Sequence, residues 1–374
     1  MNNDVVIVSA CRTPIGKSPK GSLREMRPDD LAAIVIAEAL RRAPGISASE
    51  VDDVVLGCAT PEQAAGLDMA RLAALRAGLP ESVPGVTLNR FCASGLEAIA
   101  TAAAKIATGQ AEVVIAGGAE SMSLVPFMGE DTLRINPALP PKTYLSMGES
   151  VEDLAIEFGV SRAASDEFAF ASQQKAAAAQ AAGRFVDEIV PVEGILSADE
   201  GIRAETTLEG LAGLKTPFRE GGVITAGNAS QRSDGAAALV LTTRERAAKA
   251  GLPPLAQFTG YAAAAVEPHR FGIGPAYAIP KLLSRANLAI SDIDLIEFNE
   301  AFAAQVLASQ VVFPLPLDRV NVNGGAIALG HPLGATGARQ AVTLIYEARR
   351  RRAKRGIVAM CAALGMGAAG LFEF

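Results

Sequence analysis

VTLNRFCASGLEAIATAAAK (86–105) joins an apolar, strand-like run to an alanine-rich helix through a short loop that contains a cysteine. The run ends at Asn89, and the helical stretch follows Ser94 and Gly95. A strand, a loop and a helix in this order are typical of α/β folds. A cysteine at a helix N-terminus lies near the positive end of the helix dipole and near unpaired N–H groups, and both favour the thiolate. The stretch therefore predicts an α/β fold and a reactive Cys92.

Strand-like and helix-like segments alternate along the first part of the chain. The apolar runs DVVIVSA (4–10), VDDVVLGCA (51–59) and EVVIAGGAE (112–120) are typical of buried strands, and DDLAAIVIAEALRRA (29–43) has the pattern of an amphipathic helix. This alternation predicts parallel sheets covered by helices.

The later part of the chain repeats the earlier part in the same order. Three pairs of segments correspond in pattern: 37–57 with 279–299, 86–89 with 320–323, and 111–120 with 355–365. Repetition of this kind indicates an internal duplication. Two related α/β layers would face each other, and the loops at the ends of their strands would meet between them, where open α/β sheets carry their chemistry.

A segment of different composition interrupts the duplicated pattern. The expected organisation is an N-terminal half at 1–250, an insertion within it at about 121–233, and a C-terminal half at 251–374. The insertion opens with a proline-rich, loop-like stretch (123–150) and continues with a long helix, for which Ser161 is the expected cap and Gly183 the expected end. Because insertions of this length are usually functional, we expect a lid over the site.

The composition excludes several classes of protein. The 374 residues carry a net charge of −6, whereas nucleic-acid binding needs a positively charged footprint. The chain has no apolar run of about 18 residues and no signal-peptide pattern, so we expect a cytoplasmic protein without a membrane segment.

The four cysteines argue against a disulfide framework and against a metal site, because they lie far apart and form no C-x-x-C pair. Cys11 and Cys58 lie in apolar runs and are expected to be small buried side chains.

Other residues that can carry chemistry fall at the predicted strand ends. His331 lies in GGAIALGHPLGATG (324–337), which is rich in glycine but lacks the G-x-G-x-x-G pattern of a dinucleotide site. Cys361 ends the strand of the third repeated pair, and Asn299 ends another predicted strand. With Cys92 these residues supply a nucleophile, a base, a second acid or base and an amide donor, which is the set that acyl transfer with carbanion chemistry requires.

At these residues the sequence resembles the thiolase family, the acetyl-CoA acyltransferases, over essentially the whole chain. The motifs that carry the resemblance occur in the family's order: NRFCASGLEA (89–98), TAGNASQRSDGAAALVL (225–241), GIGPAYAIP (272–280), NEAFAAQ (299–305), NVNGGAIALGHPLGATGAR (321–339) and CAALGMG (361–367). The resemblance implies a thiolase fold, with a duplicated five-layer α-β-α-β-α core and an inserted loop domain. It also implies two-fold dimers, sometimes paired into tetramers.

The resemblance further implies a role for each catalytic residue. Cys92 would be the acylated nucleophile, His331 would activate it, and Cys361 would move the proton at the α-carbon of acetyl-CoA. Asn299 would hold a water that forms one oxyanion hole with His331. The second oxyanion hole would use the backbone N–H groups of Cys92 and, by position, Ala363.

Coenzyme A and acyl-CoA are the implied ligands, with coenzyme A a substrate and no separate cofactor or metal. The matching coenzyme A positions are Arg203, Ser230, Met147 and Phe302, with Ala226 and Ala301 along the pantetheine tunnel.

Several departures from the family pattern affect the expected substrate. Ala363 and Leu364 replace glycines in CAALGMG, which bears on the backbone of the second oxyanion hole. Ser146 replaces a histidine of the short-chain biosynthetic branch, and Phe271 replaces a methionine beside the acyl pocket. GNASQRSDG and GIGPAYAIP resemble the degradative branch. The sequence therefore favours a 3-ketoacyl-CoA thiolase over an acetoacetyl-CoA-forming acetyl-CoA C-acetyltransferase.

Two other functions remain open on the sequence. A decarboxylating condensing enzyme of related fold typically needs two histidines, or a histidine and an asparagine, and no second cysteine. A degenerate thiolase would bind acyl-CoA without turnover, which the altered glycines permit and the intact Cys92, Asn299, His331 and Cys361 argue against.

Overall fold

The computed structural model describes residues 4–127 and 135–374; residues 128–134 of the loop-like stretch lie outside the described part. The strands in the described part are β1 (Val5–Arg12), β2 (Gly16–Lys17), β3 (Asp53–Gly57), β4 (Gly85–Leu88), β5 (Val113–Ser121), β6 (Ser233–Thr243), β7 (Ala256–Ala265), β8 (Leu295–Phe298), β9 (Arg355–Ala362) and β10 (Met366–Glu373). The helices are α1 (Pro28–Arg41), α2 (Met69–Arg76), α3 (Ser94–Ala107), α4 (Met147–Glu157), α5 (Arg162–Ala181), α6 (Leu208–Ala212), α7 (Arg244–Lys249), α8 (Gly274–Ala286), α9 (Ala303–Val312), α10 (Ala326–Leu329) and α11 (Thr336–Arg351). The strands and the amphipathic helix predicted for the first part of the chain are confirmed as β1, β3, β5 and α1.

The strand pairing shows the predicted duplication. The strands follow the order β4-β3-β5-β6-β1-β7-β10-β9-β8, and β2 lies beside β6. In the first half β3 pairs in parallel with β5 and β4; in the second half β8 pairs in parallel with β9 and bridges Val320. The two halves join where Val6 and Ile7 of β1 pair with Gln257 and Ala256 of β7.

The prediction that the sheets are parallel throughout is wrong for β6 and β10. Each pairs antiparallel with the strand before it, β5 and β9 respectively, and with β1 or β7 on its other side. In the second half only Ala363, Leu364 and Gly365 separate β9 from β10, and a connection this short can join only antiparallel strands.

Helices α3 and α11 form the central layer between the two halves of the sheet. Leu96 and Ile99 of α3 share one apolar cluster with Val114 of β5 from the first half and Met360 of β9 from the second half. A second cluster joins α1 and α2 to the outer face of the first half, and a third joins α8 and α9 to the outer face of the second. This is the expected five-layer arrangement.

Two glycines allow the central helices to approach closely. A Cβ at Gly95 of α3 would lie 2.8 Å from Ala338 N and Gly334 O, and a Cβ at Gly337 of α11 would lie 2.5 Å from Leu96 N. Any side chain at either position would push the helices apart. The close approach brings the loop before α3, which carries Cys92, next to the loop before α11, which carries His331.

The insertion between β5 and β6 is anchored to the core by buried charges. The fully buried Arg12 of β1 binds Asp199 through two hydrogen bonds of 2.8 and 2.9 Å and Glu188 through one of 2.7 Å. Within the insertion, α5 begins as predicted at Ser161, whose hydroxyl accepts a hydrogen bond from Ala164 N, and Gly183 follows its end with a left-handed φ of 68°. The insertion therefore has a defined position over the strand ends.

Candidate active site

A cavity of about 510 Å³ opens where the strand-end loops of both halves meet the insertion. Cys92 comes from the first half, and His331 and Ala363 come from the second. The insertion and the start of α9 supply most of the remaining wall, which includes Met147, Gly148, Pro217, Phe218, Thr225, Ala226, Ala229, Ser230, Ala301 and Phe302. The cavity thus has the composition of a ligand site, with apolar walls and few polar groups.

Cys92 lies in a tight turn that ends at the first residue of α3. Phe91 adopts a left-handed φ of 48°, and Ser94 Oγ accepts a hydrogen bond of 2.8 Å from Arg90 N and donates one to Phe91 O. The backbone N–H groups of Cys92 and Ala363 both lower the pKa of the Cys92 thiol, so both lie near Sγ. The turn therefore places the sulfur beside the two amides predicted to form an oxyanion hole.

The prediction that Cys92 is a thiolate is wrong for the protein without substrate. Burial, together with the nearby Glu120 carboxylate, raises the pKa of the Cys92 thiol to about 12. The two N–H groups lower the pKa but do not offset these effects. Desolvation therefore outweighs the helix terminus, and the sulfur keeps its proton until a base removes it.

Glu120, at the end of β5, joins the loops around Cys92. Its fully buried carboxylate accepts hydrogen bonds from Ala59 N (2.8 Å), Thr60 Oγ1 (2.6 Å) and Gly334 N (2.8 Å). Because Gly334 belongs to the loop that follows His331, Glu120 ties that loop to the first half of the molecule.

His331 is held as a neutral imidazole. Its Nδ1 lies 2.7 Å from Thr336 Oγ1, and its Nε2 lies 3.3 Å from Asn299 Nδ2. Burial, together with the positive charge of Arg339, lowers the pKa of His331 to about 3. Since Asn299 Nδ2 can only donate, Nε2 is the unprotonated nitrogen and Nδ1–H donates to Thr336. Nε2 is therefore the nitrogen that can accept a proton.

Cys361 lies on β9 behind the cavity wall. Its side chain is fully buried and shares an apolar cluster with Phe271 and Ala301. Burial raises the pKa of the Cys361 thiol, and a negative charge on Cys92 would raise it further. Three residues beyond Cys361, Leu364 adopts a left-handed φ of 62°.

The structure brings most of the predicted site residues to one place. Those that line the cavity are Cys92, His331, Met147, Ser230, Phe302, Ala226, Ala301 and Ala363. Asn299 contacts His331, and Cys361 packs against residues that line the cavity. Arg203 does not line the cavity, and its backbone N–H donates to Gln173 Oε1.

Three residues of the site escaped the sequence analysis. Thr336 is five residues beyond His331 in the same glycine-rich motif, a spacing that could have indicated a contact across the loop. Glu120 is an acidic residue at the end of an otherwise apolar strand, and Arg232 is a cation in the polar stretch that precedes the apolar run of β6. Their roles depend on neighbours that are distant in sequence.

Two kinds of feature are absent from the described part of the chain. Within residues 4–127 and 135–374, no group of three or more His, Cys, Asp or Glu side chains could hold a metal ion. Over the same residues, no helix is both long enough and apolar enough to cross a membrane.

A duplicated α/β core, with a cysteine and an imidazole lining one cavity and a second cysteine buried behind its wall, indicates the class of acyltransferases that work on coenzyme A thioesters. Residues 5–245 match the family description "Thiolase, N-terminal domain", and residues 252–374 match "Thiolase, C-terminal domain". The chain belongs to the thiolase family.

Named relatives and solved structures agree with this assignment. The chain is 51% identical to a 3-ketoacyl-CoA thiolase of Bacillus subtilis (99% of both chains covered) and 47% identical to a beta-ketoadipyl-CoA thiolase of Pseudomonas knackmussii (99% and 98% covered). Crystal structures of Bacillus anthracis acetyl-CoA acetyltransferase (42% identical, 100% of both chains covered) and human mitochondrial 3-ketoacyl-CoA thiolase in complex with CoA (36% identical, 99% and 98% covered) each superpose with a TM-score of 0.93.

Proposed function

We propose that this chain cleaves 3-ketoacyl-CoA with coenzyme A, giving acetyl-CoA and a shortened acyl-CoA through an acyl-enzyme on Cys92. The observation that carries the proposal is that Cys92, His331 and Ala363 line one cavity. Coenzyme A enters as a substrate, and the names of the relatives from Bacillus subtilis and human mitochondria support a 3-ketoacyl substrate.

The first half of the reaction moves the acyl group to the enzyme. His331 Nε2 accepts the thiol proton as Cys92 Sγ attacks the C3 carbonyl, and the N–H groups of Cys92 and Ala363 stabilise the oxyanion. The C2–C3 bond then breaks, its electron pair passes to C2, and Cys361 donates its proton to that carbon. Asn299, through a water, and the protonated His331 stabilise the enolate oxygen of the departing acetyl-CoA.

The second half returns every group to its starting state. The thiol of coenzyme A gives its proton to the Cys361 thiolate, and its sulfur attacks the acyl carbon on Cys92. The bond between Cys92 and the acyl group breaks, and the released thiolate takes its proton back from His331. The raised pKa values of both cysteines suit this scheme, because each sulfur is protonated when the cycle begins.

The test is the rate of thiolysis on 3-ketoacyl-CoAs of increasing chain length, followed as loss of the 3-ketoacyl-CoA absorbance. We expect turnover that extends beyond acetoacetyl-CoA. Turnover of acetoacetyl-CoA alone would favour an acetoacetyl-CoA-forming acetyl-CoA C-acetyltransferase. Binding without turnover would indicate a degenerate thiolase, and decarboxylation of malonyl thioesters would indicate the other condensing class.

We also propose a homodimer or homotetramer. Strand β4 lies at the end of the strand order and pairs only with β3 among the described strands, which leaves its other edge free. Leu67, Leu72 and Leu75 expose apolar surface in the segment between β3 and β4. A free edge and exposed leucines favour association with a second copy. Light scattering of the purified chain measures the assembly.

The division into halves at 1–250 and 251–374, with the insertion at about 121–233, is our proposal for the domain organisation. The bounds of the insertion are supported by the flanking strands, because β5 ends at Ser121 and β6 begins at Ser233. A cytoplasmic location and a place in fatty acid β-oxidation are also proposals; four free cysteines support a reducing compartment.

The proposed coenzyme A site consists of Met147, Ser230, Phe302, Ala226 and Ala301, with Arg203 as an outlying member. Backbone hydrogen bonds join the end of the insertion to the segment before α9, with Ser230 N donating to Ala301 O (2.9 Å) and Ala303 N donating to Asn228 O (2.8 Å). These bonds support a fixed channel for the pantetheine arm, whose binding energy orients the thioester.

A further inference from the structure

Glu120 is a fully buried acidic side chain that takes no part in the proposed chemical steps and does not line the cavity. Its carboxylate accepts five hydrogen bonds, all from neutral donors: Cys58 Sγ (3.4 Å), Ala59 N (2.8 Å), Thr60 N (3.2 Å), Thr60 Oγ1 (2.6 Å) and Gly334 N (2.8 Å). Burial of a carboxylate costs free energy unless such donors surround it. Because the donors belong to two separate loops, the contacts of Glu120 hold those loops together.

The loop that carries His331 is packed closely between two backbone segments of the first half. A Cβ at Gly334 would lie 2.7 Å from Ala59 N, and a Cβ at Gly118 would lie 2.3 Å from Gly334 O. Only glycine allows this approach, and it brings Gly334 N within hydrogen-bond distance of Glu120 Oε2. Since Gly334 is three residues beyond His331, the contact fixes the loop from which the imidazole projects.

The segment after β3 also holds the loop that carries Cys92. Asn89, three residues before Cys92, donates through Nδ2 to Ala59 O at 3.0 Å. Ala59 therefore accepts from Asn89 through its carbonyl and donates to Glu120 through its N–H. A continuous chain of hydrogen bonds thus runs from the loop of the nucleophile, through Ala59 and Glu120, to the loop that follows His331.

From this geometry we propose that Glu120 is a positioning residue for acyl transfer, which fixes the placement of His331 relative to Cys92 and takes no part in binding coenzyme A. The inference rests on the proposed thiolysis and adds to it a residue that acts through two loops. Placement matters because the imidazole must meet the thiol proton within hydrogen-bond distance. A displacement of about 1 Å can lower a rate by roughly 10²-fold.

Glutamine is the most informative replacement for Glu120, because it keeps the shape of the side chain and changes one oxygen to an NH₂ group. Oε1 accepts from Cys58 and Thr60, and Oε2 accepts from Ala59 and Gly334. An amide must therefore turn its NH₂ group towards donors on one side, which leaves them without a partner and displaces a loop. Thr60→Val is a milder change, since it removes only the bond from Oγ1.

The experiment measures kcat for thiolysis and the Kd of coenzyme A in wild type, Glu120→Gln and Thr60→Val, with Glu347→Gln as the control. Glu347 is also a buried carboxylate, accepts a hydrogen bond of 2.9 Å from Asn323 Nδ2 and does not line the cavity. We expect kcat to fall roughly 10- to 100-fold in Glu120→Gln and about threefold in Thr60→Val. The Kd of coenzyme A should stay within about twofold of wild type in both, and the control should keep both values.

Amide hydrogen exchange provides a second readout that does not depend on turnover. Peptides that cover residues 58–60 and 331–336 should exchange about tenfold faster in Glu120→Gln than in wild type, because the bonds that hold both loops are weakened. Peptides from α5 should exchange at the same rate in both proteins.

Three results would overturn the inference: an unchanged kcat in a folded Glu120→Gln, a loss of kcat with an equal loss of coenzyme A affinity, or unchanged exchange in both loops. If Glu120→Gln does not fold, the same measurements on Thr60→Val decide the question. If the wild type turns over no substrate, the proposed thiolysis fails, while the exchange rates still decide whether Glu120 holds the two loops in place.

Discussion

The two cysteines at the cavity differ in what surrounds each sulfur. Cys92 lies on a loop, lines the cavity and has two backbone N–H groups near Sγ. Cys361 lies within a strand, is fully buried behind the wall and has only its own N–H group near the sulfur. Donors around a sulfur stabilise charge that develops on it or on a carbonyl it attacks, whereas a sulfur without them keeps a proton more firmly. The comparison supports different roles, with Cys92 as nucleophile and Cys361 as proton carrier.

Among the variants that test these two roles, Cys92→Ser should have the largest effect on activity. We expect loss of covalent acyl labelling and a fall in kcat on the order of 10⁴-fold or more, because the nucleophile is removed. Intact-protein mass spectrometry after incubation with acyl-CoA measures the labelling. Cys11→Ser is the matched control, since Cys11 is buried and does not line the cavity. Undiminished labelling of Cys92→Ser would assign the acyl group to another residue.

The Cys361→Ala variant separates the two roles. We expect acyl labelling of Cys92 to persist while cleavage of the C–C bond falls by roughly 10²- to 10⁴-fold, the contribution of a general acid or base. Exchange of labelled coenzyme A into acyl-CoA reports acyl transfer between coenzyme A and Cys92 alone, and thiolysis of acetoacetyl-CoA also requires cleavage of the C–C bond. Equal losses in the two assays would contradict a separate proton carrier.

The pH dependence of Cys92 alkylation tests the protonation state of the free site. Because burial raises the thiol pKa to about 12, the thiolate fraction increases with pH across the whole neutral and mildly alkaline range. The rate with iodoacetamide should then rise about tenfold per pH unit from about pH 7 to 10 without a plateau. Peptide mapping against Cys92→Ser identifies the modified sulfur. A plateau below about pH 8 would indicate a preformed thiolate, as the helix terminus alone predicts.

Substitutions in the turn after Cys361 should have the smallest effect, and this effect is on stability. Leu364 has a left-handed φ of 62°, whereas its neighbour Ala363 does not have a positive φ. Glycine adopts this conformation without strain, so the free energy of unfolding of Leu364→Gly should be about 1 kcal/mol higher than that of Leu364→Ala. At position 363 the order should reverse, with Ala363→Gly less stable than wild type. Urea unfolding of the three variants measures the differences, and the same order at both positions would contradict strain at Leu364.

Much of the fold followed from local pattern. The strands β1, β3 and β5, the helix α1 and the cap of α5 by Ser161 came from apolar spacing and capping residues, which act over a few positions. The duplication could be predicted from the sequence, because two halves with the same strand pairing require the same order of strands and helices along the chain. The sequence pattern did not predict the antiparallel pairing of β6 and β10. The direction of a strand depends on how the preceding connection leads the chain back to the sheet, and apolar spacing does not show this.

The catalytic candidates also came from the sequence, through residue type and through the resemblance of their motifs to one family. Cys92, His331, Asn299 and Cys361 are far apart along the chain, and the central helices bring their loops together. The order of residues along the chain does not show which of them face a cavity. The sequence therefore could not show that Arg232 lines the cavity and that Arg203 does not.

The sequence by itself determined the alternating elements, their duplication and the identity of the reactive groups, because these depend on short-range spacing and side-chain chemistry. Only the tertiary structure decided the protonation of the site. Cys92 at a helix start was expected to be charged, yet burial and Glu120 keep it neutral and burial keeps His331 neutral. Desolvation is a property of all the neighbours packed around a group, and those neighbours are assembled only when the halves and the insertion close over the cavity.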